Sequence, residues 1–227
     1  MTISLTDTVT LIRIRLDRRC EEVRRDLTWP ASMHKTVMSL APENLGPSPR
    51  QQAGLLFRLE DATGPVPPTL LIQSHHLPDL TRLPPGYGTA ETRSLTPMLR
   101  ALTSGRSVRY RITACALVRR KVPGTGRAFG TKDRHQEEGL HGADALAWWQ
   151  SKATHAGLDL HHTDLTPLPV HRPQPDRDKG PTPFRHPLTR FEGAATITDP
   201  DQLRHALLAG IGRGKPYGAG LLSLAPA

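Results

Sequence analysis

Aromatic residues make up only 4% of this 227-residue chain. Such scarcity disfavours RNA binding by stacking unpaired bases on rings. The long alternating stretch at 107–119 carries Arg109 and Arg111 where a stacking sheet would show its aromatic motif. Cysteine is nearly absent. Cys20 and Cys115 have no paired spacing, which excludes a recognisable zinc pattern or disulfide framework. No spaced carboxylate set or His/Cys ligand pattern accompanies the 11 histidines, so no metal and no cofactor are expected. No apolar run approaches the roughly 20 residues needed to span a bilayer. Residues 9–16 alternate apolar with Arg instead of forming the apolar core of a signal peptide, so a cytoplasmic location is expected.

What the chain does have is positive charge. Thirty Lys and Arg face 21 Asp and Glu, a net charge of +9. A basic surface of this size points to a polyanionic partner, most simply nucleic acid. The length suits two compact domains of about 100 residues each.

Periodicity supplies the expected elements. Residues 9–16 put Ile12, Ile14 and Leu16 on one side and Arg13 and Arg15 on the other, the pattern of a half-buried strand. Residues 18–41 are helical in character, with a break near Trp29 and a restart at Pro30, because proline fits a first helical turn but not an interior. Strands are expected at 54–60, 69–74, 107–119, 191–197 and 220–224. Helices are expected at 96–102, 142–156 and 199–209. Seven prolines in residues 166–187 indicate a surface loop. Strand, helix, strand, strand, helix, strand is the split βαβ order, and the second half repeats part of it. The expected fold is α+β: two tandem ferredoxin-like (RRM-like) domains, each an antiparallel sheet with helices on one face, divided as 1–120 and 121–227.

Residues 210–220 hold five glycines: Gly210, Gly212, Gly214, Gly218 and Gly220, with Arg213 and Lys215 among them. A glycine-rich turn beside a helix end exposes backbone N–H groups to phosphate oxygens. It equally serves as a flexible helix-to-strand connection with two solvated cations. It is not a Walker loop, since Pro216 follows Lys215. A second basic tract comprises Arg119, Arg120, Lys121, Arg127, Lys132 and Arg134, and suits the phosphates of an A-form stem. Arg172, Arg177, Lys179 and Arg185 in the proline-rich loop are further candidates for RNA contact.

The tail Gly210–Ala225, the Arg-Tyr-Arg-Ile segment at 109–112, Leu-Ala-Trp at 146–148 and Phe-Glu-Gly at 191–193 together resemble one family. It is the CRISPR precursor-RNA endoribonucleases of type I-E systems, the CasE subunit of Cascade in the RAMP superfamily. The resemblance implies metal-independent cleavage of a repeat hairpin. The 2′-hydroxyl attacks the adjacent phosphorus and leaves a 2′,3′-cyclic phosphate and a 5′-hydroxyl. The enzyme then stays on the mature crRNA and joins the other Cascade subunits. The resemblance places the catalytic histidine at His34, in the helix that restarts at Pro30. An imidazole with an ordinary pKa of about 6.5 suits proton transfer near neutrality. Relatives often carry tyrosine three residues earlier, where this chain has Ala31. Lys35 is the expected stabiliser of phosphate charge, and Ser32 or Tyr217 a source of a hydroxyl. Three rival readings remain: a hairpin-binding subunit that does not cut, a metal-dependent nuclease, and a basic ferredoxin-like protein outside CRISPR.

Overall fold

Trp29 is extended between two helices because the following proline disfavours helical backbone before it. In the computed structural model, α1 (Glu21–Thr28) ends there and α2 (Pro30–Ser39) starts with Pro30 in its first turn. The structure describes residues 9–43, 45–60, 66–121, 135–169, 175–176, 180–181 and 187–227. The remaining elements are β1 (Thr10–Leu16), α3 (Pro49–Gln52), β2 (Leu56–Glu60), β3 (Thr69–Ser74), β4 (Gly88–Ser94), α4 (Thr96–Arg100), β5 (Ser107–Ala114), β6 (Leu117–Lys121), β7 (His135–Gly139), α5 (Gly142–His155), β8 (Leu158–Pro167), β9 (Pro175–Asp176), β10 (Gly180–Pro181), β11 (Thr189–Ile197), α6 (Pro200–Ala209) and β12 (Leu222–Pro226).

Two four-stranded sheets dominate, ordered β2-β3-β1-β4 and β12-β5-β11-β8. Every neighbouring pair in them is antiparallel. Counted within each sheet, both orders are 4-1-3-2 read from one edge, so each is a ferredoxin-like sheet. In the first, a single 3₁₀ turn at Leu80–Arg82 lies between β3 and β4, where the split βαβ plan would place a second helix.

Three expectations are corrected. The stretch 107–119 is not one strand. Its register with β11 ends at Ala114, and Leu117–Lys121 pairs instead with β7 in a separate hairpin. The break falls within a stretch buried on both faces, Ile112 to Ala116. The two sheets do not divide at residue 120. β5 bonds to β11 and β12, so the two sheets part between Ser94 and Ser107. The fourth strand of the first sheet is β4, an unforeseen and mostly exposed edge strand without apolar alternation. β8 is likewise an unforeseen edge strand and extends into the start of the expected loop.

Each sheet buries one face. Ile12, Ile14, Leu70 and Ile72 pack with Val23 of α1 and Met33 and Val37 of α2. Tyr110, Ile112 and Phe191 pack with Trp149 of α5 and Leu203 and Leu207 of α6. Trp149 anchors that second core, its ring centroid 5.6 Å from those of both Tyr110 and Phe191.

A buried arginine joins the halves. Arg58 of β2 is only 2% exposed. Its Nη1 donates to the carbonyls of Arg111 on β5 (3.0 Å) and Leu221 before β12 (2.8 Å), while its Nε donates to Glu60 (2.8 Å). Gln73 of β3 donates to the carbonyl of Leu207 on α6 at 2.9 Å. A guanidinium buried with its charge paired holds these two carbonyls in a fixed geometry and so ties β2 to β5 and to the chain before β12.

Candidate active site and RNA-binding surface

α2 is positioned by a buried carboxylate. Asp26 of α1 accepts from Ser32 Oγ (2.6 Å), Thr36 Oγ1 (2.5 Å) and Tyr87 OH (2.8 Å). Ser32 and Thr36 are one helical turn apart, so they share a face of α2. His34 falls midway between them and points to the other side. Burial, then the Asp26 charge, pushes the Tyr87 phenol well above its usual pKa, so it stays protonated as a donor. Ser32, proposed as a hydroxyl source, is buried and bonded to Asp26 and Arg25, which removes it from that role.

On its other side α2 packs against the short 3₁₀ turn Lys215–Tyr217, and so does β2. His34 is half-buried there. Its Nδ1 is buried and has no hydrogen-bond partner among the described residues. Burial, then the positive charge of Arg50, pulls its pKa below the ordinary histidine value. The imidazole is therefore neutral at neutral pH and able to accept a proton. Lys35 is exposed on the next position of the helix.

The cation that burial brings in from the tail is Lys215. It is half-buried, and desolvation, then Arg50, lowers its pKa. Arg50 is also half-buried, with its pKa lowered by burial. Arg50 was missed at the sequence level because α3 is only four residues long. The one signal was Ser48 followed by Pro49, a helix-start pair.

The glycines serve the chain itself more than a ligand. A Cβ on Gly210 (φ 73°) would stand 2.7 Å from Leu56 Cδ2, and one on Gly220 (φ 90°) 2.9 Å from the Ile211 carbonyl oxygen. A Cβ at Gly210 would force the Leu56 side chain to shift, one at Gly220 would press on backbone, and the positive φ at both disfavours any other residue. Gly218 is buried against Phe57. Gly212 lies against Trp148 and Gly214 against Cys115. The N–H groups of Ile211, Tyr217, Gly218, Ala219 and Gly220 all donate to carbonyls of the fold. Much of the expected cradle of backbone donors is thus bonded within the fold, the N–H groups of Gly210 and Gly218 included. The turn contributes cations positioned by close packing.

Arg213 is exposed and ion-paired to Glu137 of β7, with a backbone bridge to Cys115. It ties the tail to the β6–β7 hairpin. There Arg119 is exposed, and Arg120 pairs with Glu138 at 2.7 Å. Arg119, Arg120 and Lys152 line an open groove of about 540 Å³ between this hairpin and α5, floored by Trp148. Lys121 is placed by its backbone at the end of β6. Arg127, Lys132, Arg134, Arg172, Arg177, Lys179 and Arg185 lie outside the described residues. Tyr217 lines a small, largely apolar cleft of about 100 Å³ with Met33 and Phe57. Among the described residues no group of three or more His, Cys, Asp or Glu is placed to hold a metal ion, and no helix is long and apolar enough to cross a membrane.

Tandem ferredoxin-like sheets, a histidine helix and a basic tail turn seated on it define a class of α+β protein with a cationic site between its halves. The chain belongs to the CRISPR-associated protein family, whose match spans residues 10–226. The CRISPR-associated endoribonuclease Cse3 of Thermus thermophilus is 29% identical to it over 225 residues, 95% of this chain and 99% of that protein. A structure of CRISPR endoribonuclease Cse3 bound to a 19-nucleotide RNA superposes with a TM-score of 0.75 at 29% identity, covering 96% of this chain and 100% of the other. A chain of a CRISPR RNA-guided surveillance complex in a pre-nicking state is 37% identical, with a TM-score of 0.68 over 96% of this chain and 100% of its own.

Proposed function

We propose that this protein is a CRISPR repeat endoribonuclease that cuts precursor crRNA without a metal ion, in the cytoplasm. It then keeps the hairpin as a subunit of the surveillance complex. The observation that carries the reading is the neutral, half-buried His34 on a helix packed against the basic tail turn. Full-length similarity to Cse3 supports it.

In this reaction the RNA brings its own nucleophile. The 2′-oxygen forms a bond to phosphorus as the bond to the 5′-oxygen breaks. The 2′-hydroxyl proton passes to the His34 imidazole, the departing oxygen takes a proton from water, and the hydroxide so formed takes the proton back from His34. The protein holds the attacking and leaving oxygens in line and supplies positive charge to the phosphorane. Lys35 at the exposed edge of α2 adds charge to the flanking backbone. Arg119, Arg120 and Lys121 on the hairpin hold the stem, with Arg213 beside them.

Incubation of a 5′-labelled repeat hairpin with the protein in EDTA tests the reading. The expected outcome is one cut, leaving a 2′,3′-cyclic phosphate and a 5′-hydroxyl. Binding without cutting would leave the non-cleaving subunit, a reading favoured by Ala31 in place of tyrosine and by the engagement of Ser32 with Asp26. Restoration of cutting by added divalent ions would mean a metal-dependent nuclease.

Stem binding through phosphates has its own signature. Affinity should fall by roughly 0.7–0.9 log units per log unit of salt for each phosphate neutralised. A titration of hairpin affinity against salt reads that slope. A flat plot would remove the cationic hairpin as the stem-binding surface.

A further inference from the structure

We propose that Arg50 is a further catalytic residue of this site: its guanidinium, together with the Lys215 ammonium, grips the non-bridging oxygens of the scissile phosphate beside His34. The inference rests on the endoribonuclease reading above.

Three elements converge at this point. Arg50 Nη1 donates to the carbonyl of Leu55 at 3.1 Å, which pins the guanidinium at the entry to β2. The next residues, Leu56 and Phe57, are those on which Gly210 and Gly218 of the tail pack. The same tail presents Lys215–Tyr217 to α2, the helix of His34. Arg50 therefore sits where α2, the start of β2 and the tail turn meet. Its Coulombic effect on both His34 and Lys215 agrees with that placement.

The composition of this cluster is unusual for a structural one. Arg50 and Lys215 are both half-buried, yet neither is paired with a carboxylate among the described residues. Buried cations ordinarily carry an anionic partner, because two like charges out of water repel and lose hydration. An arrangement that keeps two unpaired cations beside an imidazole is complementary to an incoming anion. A phosphodiester that gains negative charge on its equatorial oxygens as the 2′-oxygen attacks is such an anion. Arginine suits the task because its planar fork can bond two oxygens at once. Its single described bond to Leu55 leaves donors for that.

The charged and titratable groups around His34 are Lys35 on its own helix, Arg50 on α3, and Lys215 and Tyr217 on the turn. From α1, Asp26 and Arg25 lie on the Ser32 face. Arg50 thus has two effects on one reaction. It stabilises the phosphorane directly, and it holds His34 neutral until the substrate arrives.

The test is single-turnover cleavage of a repeat hairpin by the full chain and its Arg50→Ala, Arg50→Lys and His34→Ala variants, across pH. Hairpins with sulfur in place of each non-bridging oxygen at the cut are compared with normal ones. Arg50→Ala should slow cleavage about a hundredfold, the usual scale for losing one oxyanion donor, with hairpin affinity unchanged. The acidic limb of its pH–rate profile should move up toward the ordinary histidine value of about 6.5. The penalty for sulfur should shrink, since the group that senses it is gone. Arg50→Lys should recover part of the rate. If Arg50→Ala lowers the unfolding temperature, the Arg50→Lys variant and its sulfur penalty decide the question in a folded protein. Wild-type rate and pH profile in Arg50→Ala, or an unchanged sulfur penalty, overturn the proposal. A silent Arg50→Ala beside an inactive His34→Ala sinks only this inference; full activity in His34→Ala sinks the reading beneath it.

Discussion

His34→Ala should lower single-turnover cleavage of a repeat hairpin by about 10²–10⁴-fold, the range for a lone acid–base group, and leave hairpin affinity nearly unchanged. The expectation follows from where the ring sits. His34 is half-buried at the contact between α2 and the tail turn, and no carboxylate pairs with it among the described residues. Burial and Arg50 both disfavour the imidazolium, so the base form prevails at neutral pH. The rate should therefore be flat around neutrality and fall only on acidification, below the ordinary histidine pKa of about 6.5. The cations proposed to bind the stem lie on the β6–β7 hairpin, a different element, so binding should not depend on this ring. Parallel gel-shift and cleavage measurements separate the two effects. Near-normal cutting by the mutant, or a loss of affinity as large as the loss of rate, would remove His34 from the chemistry.

Asp26→Ala should cost about 3–5 kcal/mol of stability, the scale for breaking a buried charged network, and should depress cleavage beyond the fraction of protein unfolded. Three hydroxyls, from Ser32, Thr36 and Tyr87, aim at this one carboxylate. Alanine leaves the Ser32 and Thr36 hydroxyls without their acceptor and Tyr87 with only the weak Met33 Sδ, and each buried orphan costs about 1–3 kcal/mol, less than additively. A typical domain has about 5–15 kcal/mol to lose. The catalytic effect arises because Ser32 and Thr36 flank His34 on the same helix, so their release frees α2 to rotate. Urea unfolding gives the first quantity, and cleavage by the folded fraction gives the second. A change of less than about 1 kcal/mol, within the range of ordinary substitutions, would show that the network does not hold α2.

The legible parts of this protein were those governed by local rules. Pro30 marked the helix break because its ring cannot sit inside a helix. Ile12, Ile14 and Leu16 marked a strand because period two places them on one side of a pleat. The tail motif carried the family resemblance, and with it His34. The illegible parts depended on partners distant in sequence. Nothing in Gly88–Ser94 reads as a strand, since an edge strand exposed on both faces needs no apolar alternation, and only pairing with β1 makes it one. The alternation through 107–119 records which faces are buried, not that the chain changes partners after Ala114.

The glycine-rich tail shows the same division. Five glycines among cations suggested a backbone laid open to phosphate, whereas their missing side chains make room for Leu56, Phe57 and the tail's own carbonyls. By itself the sequence determined the charge, the two-sheet plan, the broken helix and the imidazole it carries, because composition and periodicity are properties of neighbouring residues. Only the tertiary structure decided that Arg50 and Lys215 converge beside that imidazole and that Asp26 holds its helix. Coulombic and hydrogen-bonding forces act over a few ångströms of space, whatever the distance along the chain.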